Sequence, residues 1–513
     1  MSQNKSELIA GERRLSAQQL CDQGAIVAAK LEDAGLKEGD AIALILRNDF
    51  AYFVMHDAAR YAAFDIVPVN WHLNAGEIDY ILKDCAARAV VVHEDILNDE
   101  LRAVLEDRLV VVVDTPAEVV AAYNLESRSP GETDYQRWGR WIDSSIKSNK
   151  TPLPFCPPLF YTSGTSGRPK AVVREKISPK LLAKIAERTR FAWGFDKTPV
   201  CSVMTGPLYH SAPNGYANMV LQAKGRLILQ ARFDAEELLM LIDNHEVSHL
   251  HMVPTMFNRL LALPEKIRSK YSLKSLVHVS HGAAPCPPEV KRQMIDWWGP
   301  VIYEYYAMTE TGIICCSSSE GWLAHPGSVG SAAPGVSLQI RHDDGSPCPT
   351  GEAGLICVRH EATSAVSYHK ANEKTAELVQ DGYLVTGDIG YLDDDGFLYI
   401  SDRKSDMVIS GGVNIYPAEI ESELITMPGV KDCTVFGIPD KEFGEKLVAF
   451  IESDEQLETN AITAFLKTRI ASFKVPKIFQ QVSSLPREDS GKLKKREIRE
   501  QYLNSTHLKD ENT

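Results

Sequence analysis

No apolar run in this chain approaches the roughly 20 residues that a membrane-spanning helix requires, which argues against stable insertion in a bilayer. Met1 to Arg14 is polar and charged, unlike a secretory leader. The opposite end, Asn504 to Thr513, is polar too; it is expected to be frayed and carries no receptor-read address. Ten cysteines are scattered without a Cys-x-x-Cys pair, and the only adjacent two are Cys315 and Cys316. That pattern suits reduced thiols in a cytoplasmic compartment, with no zinc site. Basic residues are in deficit, 55 Lys+Arg against 69 Asp+Glu, for a net charge of -14. This argues against a general nucleic-acid binder and favours solubility. Internal repeats and low-complexity tracts are missing as well. What is present is ordinary globular composition, 44% apolar and 24% charged, over 513 residues. That length allows about three domain-sized cores.

In chain order, Leu20, Ile26, Ala29 and Leu31 share a helical face, and Ala41 to Leu46 reads as a buried strand. A helix through Val54 and Ala58 follows, then strands at Ile66–Val69, Ala89–Val92 and Leu109–Val113. Such alternation implies a largely parallel sheet covered by helices. The polar, proline-bearing stretch from Glu126 to Pro158 reads as a connection. A second alternating region includes a helix from Phe233 to His245 with Asp234 as N-cap, and strands at Ser248–Val253 and Leu276–Val279. From about Gly327, short strands and frequent glycine turns suggest an antiparallel sheet or small barrel. Beyond Asp406 a compact mixed segment is expected, with helices Ala418–Leu424 and Ala461–Ile470 and strands Asp432–Phe436 and Leu447–Ile451.

The stretch from Tyr161 to Lys170 carries the clearest chemistry. Two glycines, four hydroxyl side chains and two cations fall within nine residues, between apolar runs Leu159–Tyr161 and Ala171–Val173. Glycines let backbone N–H groups converge, hydroxyls add donors, and cations complete an anion cradle suited to polyphosphate. The nucleotide P-loop fails on spacing, because Arg168 and Pro169 separate Gly167 from Lys170 and no hydroxyl follows the lysine. It fails on context as well, since a strand-like run follows where a helix is needed. The plain alternative is a flexible Ser/Gly surface loop.

Further along lie Tyr306-Ala307-Met308-Thr309-Glu310, Thr386-Gly387-Asp388, Asp402-Arg403-Lys404, Gly411-Gly412-Val413-Asn414-Ile415-Tyr416-Pro417 and Ser490-Gly491-Lys492. With the anion loop, these motifs and their order resemble the adenylate-forming superfamily of AMP-producing acyl-CoA synthetases, aryl-CoA ligases, adenylation domains and luciferase. The resemblance covers essentially the whole chain. It implies an α/β fold with a large N-terminal domain, 1–404, made of two α/β subdomains (about 1–155 and 156–326) and a small antiparallel β-barrel (327–404). A small α+β C-terminal domain, 405–513, would be hinged to it. Three departures stand out: Ala171 and Ala307 replace usual glycines, and Ser405 sits where the hinge usually has Asp or Lys.

The resemblance also assigns roles. Thr165 and Ser166, with the backbone of Gly164 and Gly167, would hold the β,γ-phosphates of ATP; Thr162, Ser163 and Lys170 belong to the same set. Glu310 suits Mg²⁺, with Thr165 as the other candidate ligand. Thr309 would address the α-phosphate, Asp388 and Arg403 the ribose hydroxyls, and Tyr306 the adenine face. Gly282, Ala283 and Ala284 would run between adenine and acyl pocket, where His281 is bulkier than expected and would shorten the tunnel. Lys492 would bridge carboxylate and α-phosphate oxygens, whereas Lys494 and Lys495 read as solvated. Gly411 and Gly412 would line the passage for coenzyme A. His210 stands near the expected carboxylate position, where amino-acid-activating relatives place an aspartate.

The expected partners are thus a carboxylic acid, ATP and coenzyme A, with a homodimer left open. Tyr303-Glu304-Tyr305-Tyr306 and Trp322 to Ser328 look most like synthetases for fatty or alicyclic, steroid-type acids. The alternatives are an aryl-acid ligase, a luciferase-like oxygenase and, from another class, a nucleotide-binding protein without turnover.

Overall fold

Strands without polar alternation need neighbours along both edges and cover on both faces. Ala41–Ile45, buried at every position, obtains both. The computed structural model describes residues 6–126, 135–162, 170–174, 178–196, 199–360, 366–368, 379–410, 413–440, 443–487 and 493–510. They divide into two compact units. One comprises Met1–Met252, Leu263–Ser280 and Ala365–Thr375; the other comprises Val253–Ala262, His281–Ser364 and Ala376–Thr513. Among the described residues no helix is long and apolar enough to cross a membrane, and all ten cysteines are free.

The first unit holds a five-stranded parallel sheet in the order Asp65–Pro68, Ala41–Ile45, Ala89–His93, Leu109–Val113, Gln136–Arg137. Between its strands run helices Phe50–Ala62, Ala75–Asp84 and Asp99–Val104. Ala75–Asp84 starts on a reciprocal capping box, Asn74 Oδ1 accepting from Glu77 N and Glu77 Oε2 from Asn74 N. The last strand and helix Trp138–Ile142 lie inside the stretch expected to be a connection. Trp138 and Trp141 are buried, and Arg137 is pinned by Glu94 at 3.0 Å and Asp114 at 2.9 Å. Two tryptophans in five residues outweigh the polarity around them.

A second set of strands in this unit runs His249–Met252, Cys201–Met204, Arg226–Leu229, Glu7–Ala10, Arg13–Ser16. Glu7–Ala10 pairs parallel with Arg226–Leu229 and antiparallel with Arg13–Ser16. The polar N-terminal stretch therefore completes a sheet, with Leu8 and Ile9 buried. Asp234 caps helix Ala235–His245 through Glu237 N at 2.8 Å, as its sequence suggests. A small antiparallel ribbon orders Val366–Tyr368, Lys170–Arg174, Tyr161–Thr162.

In the second unit, Ile302–Met308 and Gly312–Ser317 form a hairpin with a bulge at Tyr306/Ala307. An antiparallel sheet follows, ordered Ser337–Arg341, Gly354–Arg359, Tyr383–Leu392, Val379–Gln380, with Leu398–Arg403 also on Tyr383–Leu392. Its core includes Ile340, Ile356, Val358 and Leu398. Towards the C-terminus, Val413–Ile415, Val408–Ser410, Gly444–Glu452 and Asp432–Asp440 form another sheet, to which Ile478–Val482 adds in parallel. Helices Pro417–Leu424 and Thr459–Lys467 pack on it around Ile420, Leu424, Ile462 and Leu466. A helix, Lys495–Asp510, runs into the end expected to be frayed as far as Asp510; Ile498, Tyr502 and Leu503, just before that end, join Phe436 and Val448.

Candidate functional site

In the second unit the structure brings Tyr306, Asp388 and Arg403 together. Asp388 and Arg403 face each other across Tyr383–Leu392 and Leu398–Arg403. Arg403 Nε lies 3.6 Å from Asp388 Oδ1, the arginine side chain 62% exposed and the aspartate 12%. The Tyr306 hydroxyl donates to Asp388 Oδ2. Thr386 Oγ1 accepts from Asp388 N at 3.1 Å while donating to Ile356 O at 2.9 Å, which fixes the backbone beneath the carboxylate. Burial raises the Asp388 carboxyl above its ordinary range, against the lowering pull of Tyr306 and Arg403. Burial first, and then Asp388, pushes the Tyr306 phenol well above its ordinary value. The ring packs on the apolar cluster around Ile314 and Ile340, so the residue both fills the core and holds Asp388.

Thr309 and Glu310 lie in the turn between Ile302–Met308 and Gly312–Ser317, with Met308 opposite Gly312. Glu310 is only 8% exposed, unusual for a carboxylate at a hairpin turn. Gly282 is needed for packing: a Cβ there would stand 2.7 Å from Tyr305 O. Ala283 takes φ +67, a left-handed conformation that costs a non-glycine residue about 1 kcal/mol or more. His281 is fully buried, edge-on to Phe257, with Nε2 3.9 Å from Glu304 Oε2. Glu304 itself pairs with the buried Lys291 at 2.6 Å. Sequence gave no hint of that pair, because Lys291 sits in an ordinary amphipathic helix, Pro288–Trp298.

In the first unit, His210 occupies the N-cap of helix Ser211–Gln222. The loop before it is clamped by Asn48, whose Nδ2 donates to Gly206 O and whose Oδ1 accepts from Leu208 N, both at 2.9 Å. Asn214 donates to Leu208 O at 2.8 Å and lies 3.1 Å from His56 Nε2. His210 thus stands on a loop held from two sides, its ring 4.6 Å from that of Tyr209. Thr162 and Lys170 pair at the base of the ribbon, and Tyr161 donates to Asp84 Oδ2 at 2.7 Å. A strand, Lys170–Arg174, does follow the anion loop, consistent with the rejection of a P-loop. Ser163, Gly164, Thr165, Ser166 and Gly167 lie outside the described residues, as do Gly411, Gly412 and Lys492.

On either side of Lys492 the described residues are well anchored. Arg487 bridges to Leu493, and its guanidinium meets both oxygens of Asp432 at 2.6 and 2.7 Å. Lys495, expected to be solvated, is instead drawn in beside Glu421 at 2.9 Å, its side chain 21% exposed. Its ammonium is held above the ordinary lysine value by Glu421 and Asp402 despite the opposing effect of burial. Asp402 also caps helix Pro417–Leu424 through Ala418 N at 3.0 Å.

An AMP-binding enzyme profile matches residues 1–368, and the profile of the AMP-binding enzyme C-terminal domain matches residues 419–492. The chain belongs to the AMP-binding enzyme family. This AMP-binding enzyme is 31% identical over 510 residues to 2-succinylbenzoate–CoA ligase of Bacillus licheniformis, covering 97% of each chain. It is 30% identical over 508 residues to the (7a-methyl-1,5-dioxo-octahydro-1H-inden-4-yl)propanoyl:CoA ligase of Rhodococcus jostii, covering 96% of this chain and 94% of that one. The crystal structure of ATP-bound MatB from Rhodopseudomonas palustris superposes with a TM-score of 0.83 at 27% identity, covering 98% and 97%. The expected superfamily and fold class are thereby established, and the enzyme class is that of AMP-forming acid–thiol ligases.

Proposed function

We propose that this enzyme adenylates a hydrophobic carboxylic acid of fatty or alicyclic type and passes the acyl group to coenzyme A. The observation that carries the reading is the Tyr306–Asp388–Arg403 arrangement, a sheltered carboxylate with an exposed cation beside it. It offers a carboxylate acceptor and guanidinium donors for the hydroxyls of a diol. In the first step a carboxylate oxygen attacks the α-phosphorus of ATP, and the bond to pyrophosphate breaks. In the second, the thiol sulfur attacks the acyl carbon, AMP leaves with the C–O electrons, and the thiol proton passes to solvent.

Asp388 and Arg403 would hold the ribose, Tyr306 the adenine, with Gly282, Ala283 and Ala284 alongside. Thr309 would donate to the α-phosphate. Thr162, Ser163, Gly164, Thr165, Ser166, Gly167 and Lys170 would cradle the β,γ-phosphates, and Lys492 would neutralise charge in the first step. The sheltered carboxylate of Glu310 is a hard oxygen donor that fits Mg²⁺, with Thr165 as the other ligand. When bound, Mg²⁺ offsets phosphate charge. His210 would face the acid's carboxylate. Residues 405–513 are proposed to turn about Ser405 against 1–404, exchanging Lys492 for Gly411 and Gly412 along the path of coenzyme A. The proposed setting is the cytoplasm.

The Rhodococcus jostii relative supports an alicyclic acid; the Bacillus licheniformis relative favours a second reading, an aryl acid. Pyrophosphate release across fatty, alicyclic, aryl and amino acids, with and without coenzyme A, separates them. Aryl preference replaces the first reading by the second. Failure of every acid to support release with Mg-ATP overturns both.

A further inference from the structure

The hairpin between Ser337–Arg341 and Gly354–Arg359 carries a cluster of side chains of metal-ligating type, apart from Glu310. His342 Nδ1 lies 3.4 Å from Cys348 Sγ and 3.6 Å from Glu352 Oε1. The donor atoms of all three lie within 4.8 Å of one another. Zinc bonds of about 2.0–2.3 Å at tetrahedral angles place nitrogen, sulfur and oxygen donors about 3.4–3.6 Å apart. The spacing within the hairpin is therefore close to what one ion requires. We propose that His342, Cys348 and Glu352 form a binding site for a divalent ion of the zinc type, with water completing the coordination.

Three features of the frame support this. The donors ride on backbone that is already tied down, by His342 N to Ser346 O at 2.9 Å, Cys348 N to Ile340 O at 2.9 Å and Glu352 N to Pro349 O at 3.1 Å. Little reorganisation is then needed on binding. Gly354 leaves room for the thiol: a Cβ there would stand 2.6 Å from Cys348 Sγ. Finally, the site is accessible and negative. The His342 and Glu352 side chains are 39% and 52% exposed. The Glu352 carboxylate, within 4.8 Å of the other two donor atoms, supplies negative charge that attracts a cation.

A mixed sulfur, nitrogen and oxygen set suits zinc or cobalt better than magnesium or calcium, which take oxygen donors. On binding, the metal–sulfur bond replaces the S–H bond and the proton leaves to solvent. Sequence spacing concealed the site because His342, Cys348 and Glu352 match no paired-ligand pattern; the hairpin turn brings them together.

The test is titration of the intact chain with Co²⁺ and back-titration with Zn²⁺. The wild-type protein is expected to develop a thiolate-to-cobalt charge-transfer band that saturates at one ion per chain and is bleached by zinc. Cys348→Ser should abolish the band and Cys316→Ser should retain it. Loss of a single ligand in His342→Asn or Glu352→Gln should weaken binding about tenfold or more. No band in wild type, or an undiminished band in Cys348→Ser, overturns the site. Should Cys348→Ser fail to fold, the other two variants decide, and unchanged cobalt affinity in both overturns it.

Discussion

The Tyr306 phenol donates to Asp388 across 82 residues of sequence, so the carboxylate proposed to hold the ribose is oriented by the protein itself. Removing that donor in Tyr306→Phe leaves Asp388 with less help against burial, and its carboxyl should rise further. A hydrogen bond to a charged group contributes about 1.5–3 kcal/mol. We expect kcat/KM for ATP to fall about tenfold or more, with the acid limb of its pH profile moved to higher pH. An unchanged pH profile counts against the pairing.

Arg403 gives a complementary test. Its side chain is mostly exposed, and an exposed ion pair contributes about 0–1 kcal/mol. Arg403→Ala should therefore keep the wild-type Tm while weakening ATP binding. A matching loss of Tm would reassign the arginine to structure.

Lys494 and Lys495 are neighbours with opposite expected phenotypes. Lys494 pairs with Glu497 at 3.2 Å at the surface, whereas Lys495 compensates Glu421 and Asp402. Lys495→Ala should cost about 1–3 kcal/mol, below the value for a fully buried pair because both partners retain some exposure. Lys494→Ala should be neutral. Urea unfolding of the two variants checks the contrast, and equal midpoints refute it.

Stability should fall in mild acid because of His56 and His251. Burial lowers both to about 4, so each stays neutral while its unfolded counterpart takes up a proton near 6.5. Their contribution is complete above pH 6.5 and is lost as pH drops towards 4, at about 2 kcal/mol each between pH 7 and 5. Asn214 Nδ2 can donate to His56 Nε2 only while that nitrogen is unprotonated. The His251→Gln variant should show a shallower loss in urea titrations at the two pH values. A slope identical to wild type removes His251 from the acid response.

The proposed alternation predicts divided effects. Lys492→Ala should nearly abolish acid-dependent ATP–pyrophosphate exchange yet still convert supplied acyl-adenylate and coenzyme A to thioester. A bulky side chain at Gly411 should do the reverse. Equal loss of both half-reactions in a Lys492→Ala protein of normal Tm would rule the alternation out.

Much of this was legible beforehand because it rests on local chemistry. Continuous apolar runs gave the parallel strands at Ala41–Ile45 and Leu109–Val113, and Asp234 announced its helix. Motif order gave Asp388 and Arg403, which the strand pairing sets opposite each other. What escaped depends on distant partners. Nothing local separates Lys495 from Lys494, since Glu421 and Asp402 are far away in sequence. Glu7–Ala10 is only four residues long and needs Arg226–Leu229 to be a strand at all. The edge-on packing of His281 against Phe257 was not foreseeable without the fold.

The pairing of Glu7–Ala10 with Arg226–Leu229 also bears on how the chain is made. Ser6 Oγ donates to Gly225 O across 219 positions. During synthesis the first strand can pair with Arg13–Ser16, but its other edge must wait until Arg226–Leu229 emerges. At about 5–20 residues per second that delay lasts on the order of ten seconds or more. Meanwhile Leu8 and Ile9 are available to chaperones or to neighbouring chains. Deleting this hairpin would expose Arg226–Leu229 as a bare edge, a template for aggregation. Yield of soluble protein, more than turnover, is where changes at Glu7–Ser16 should first register.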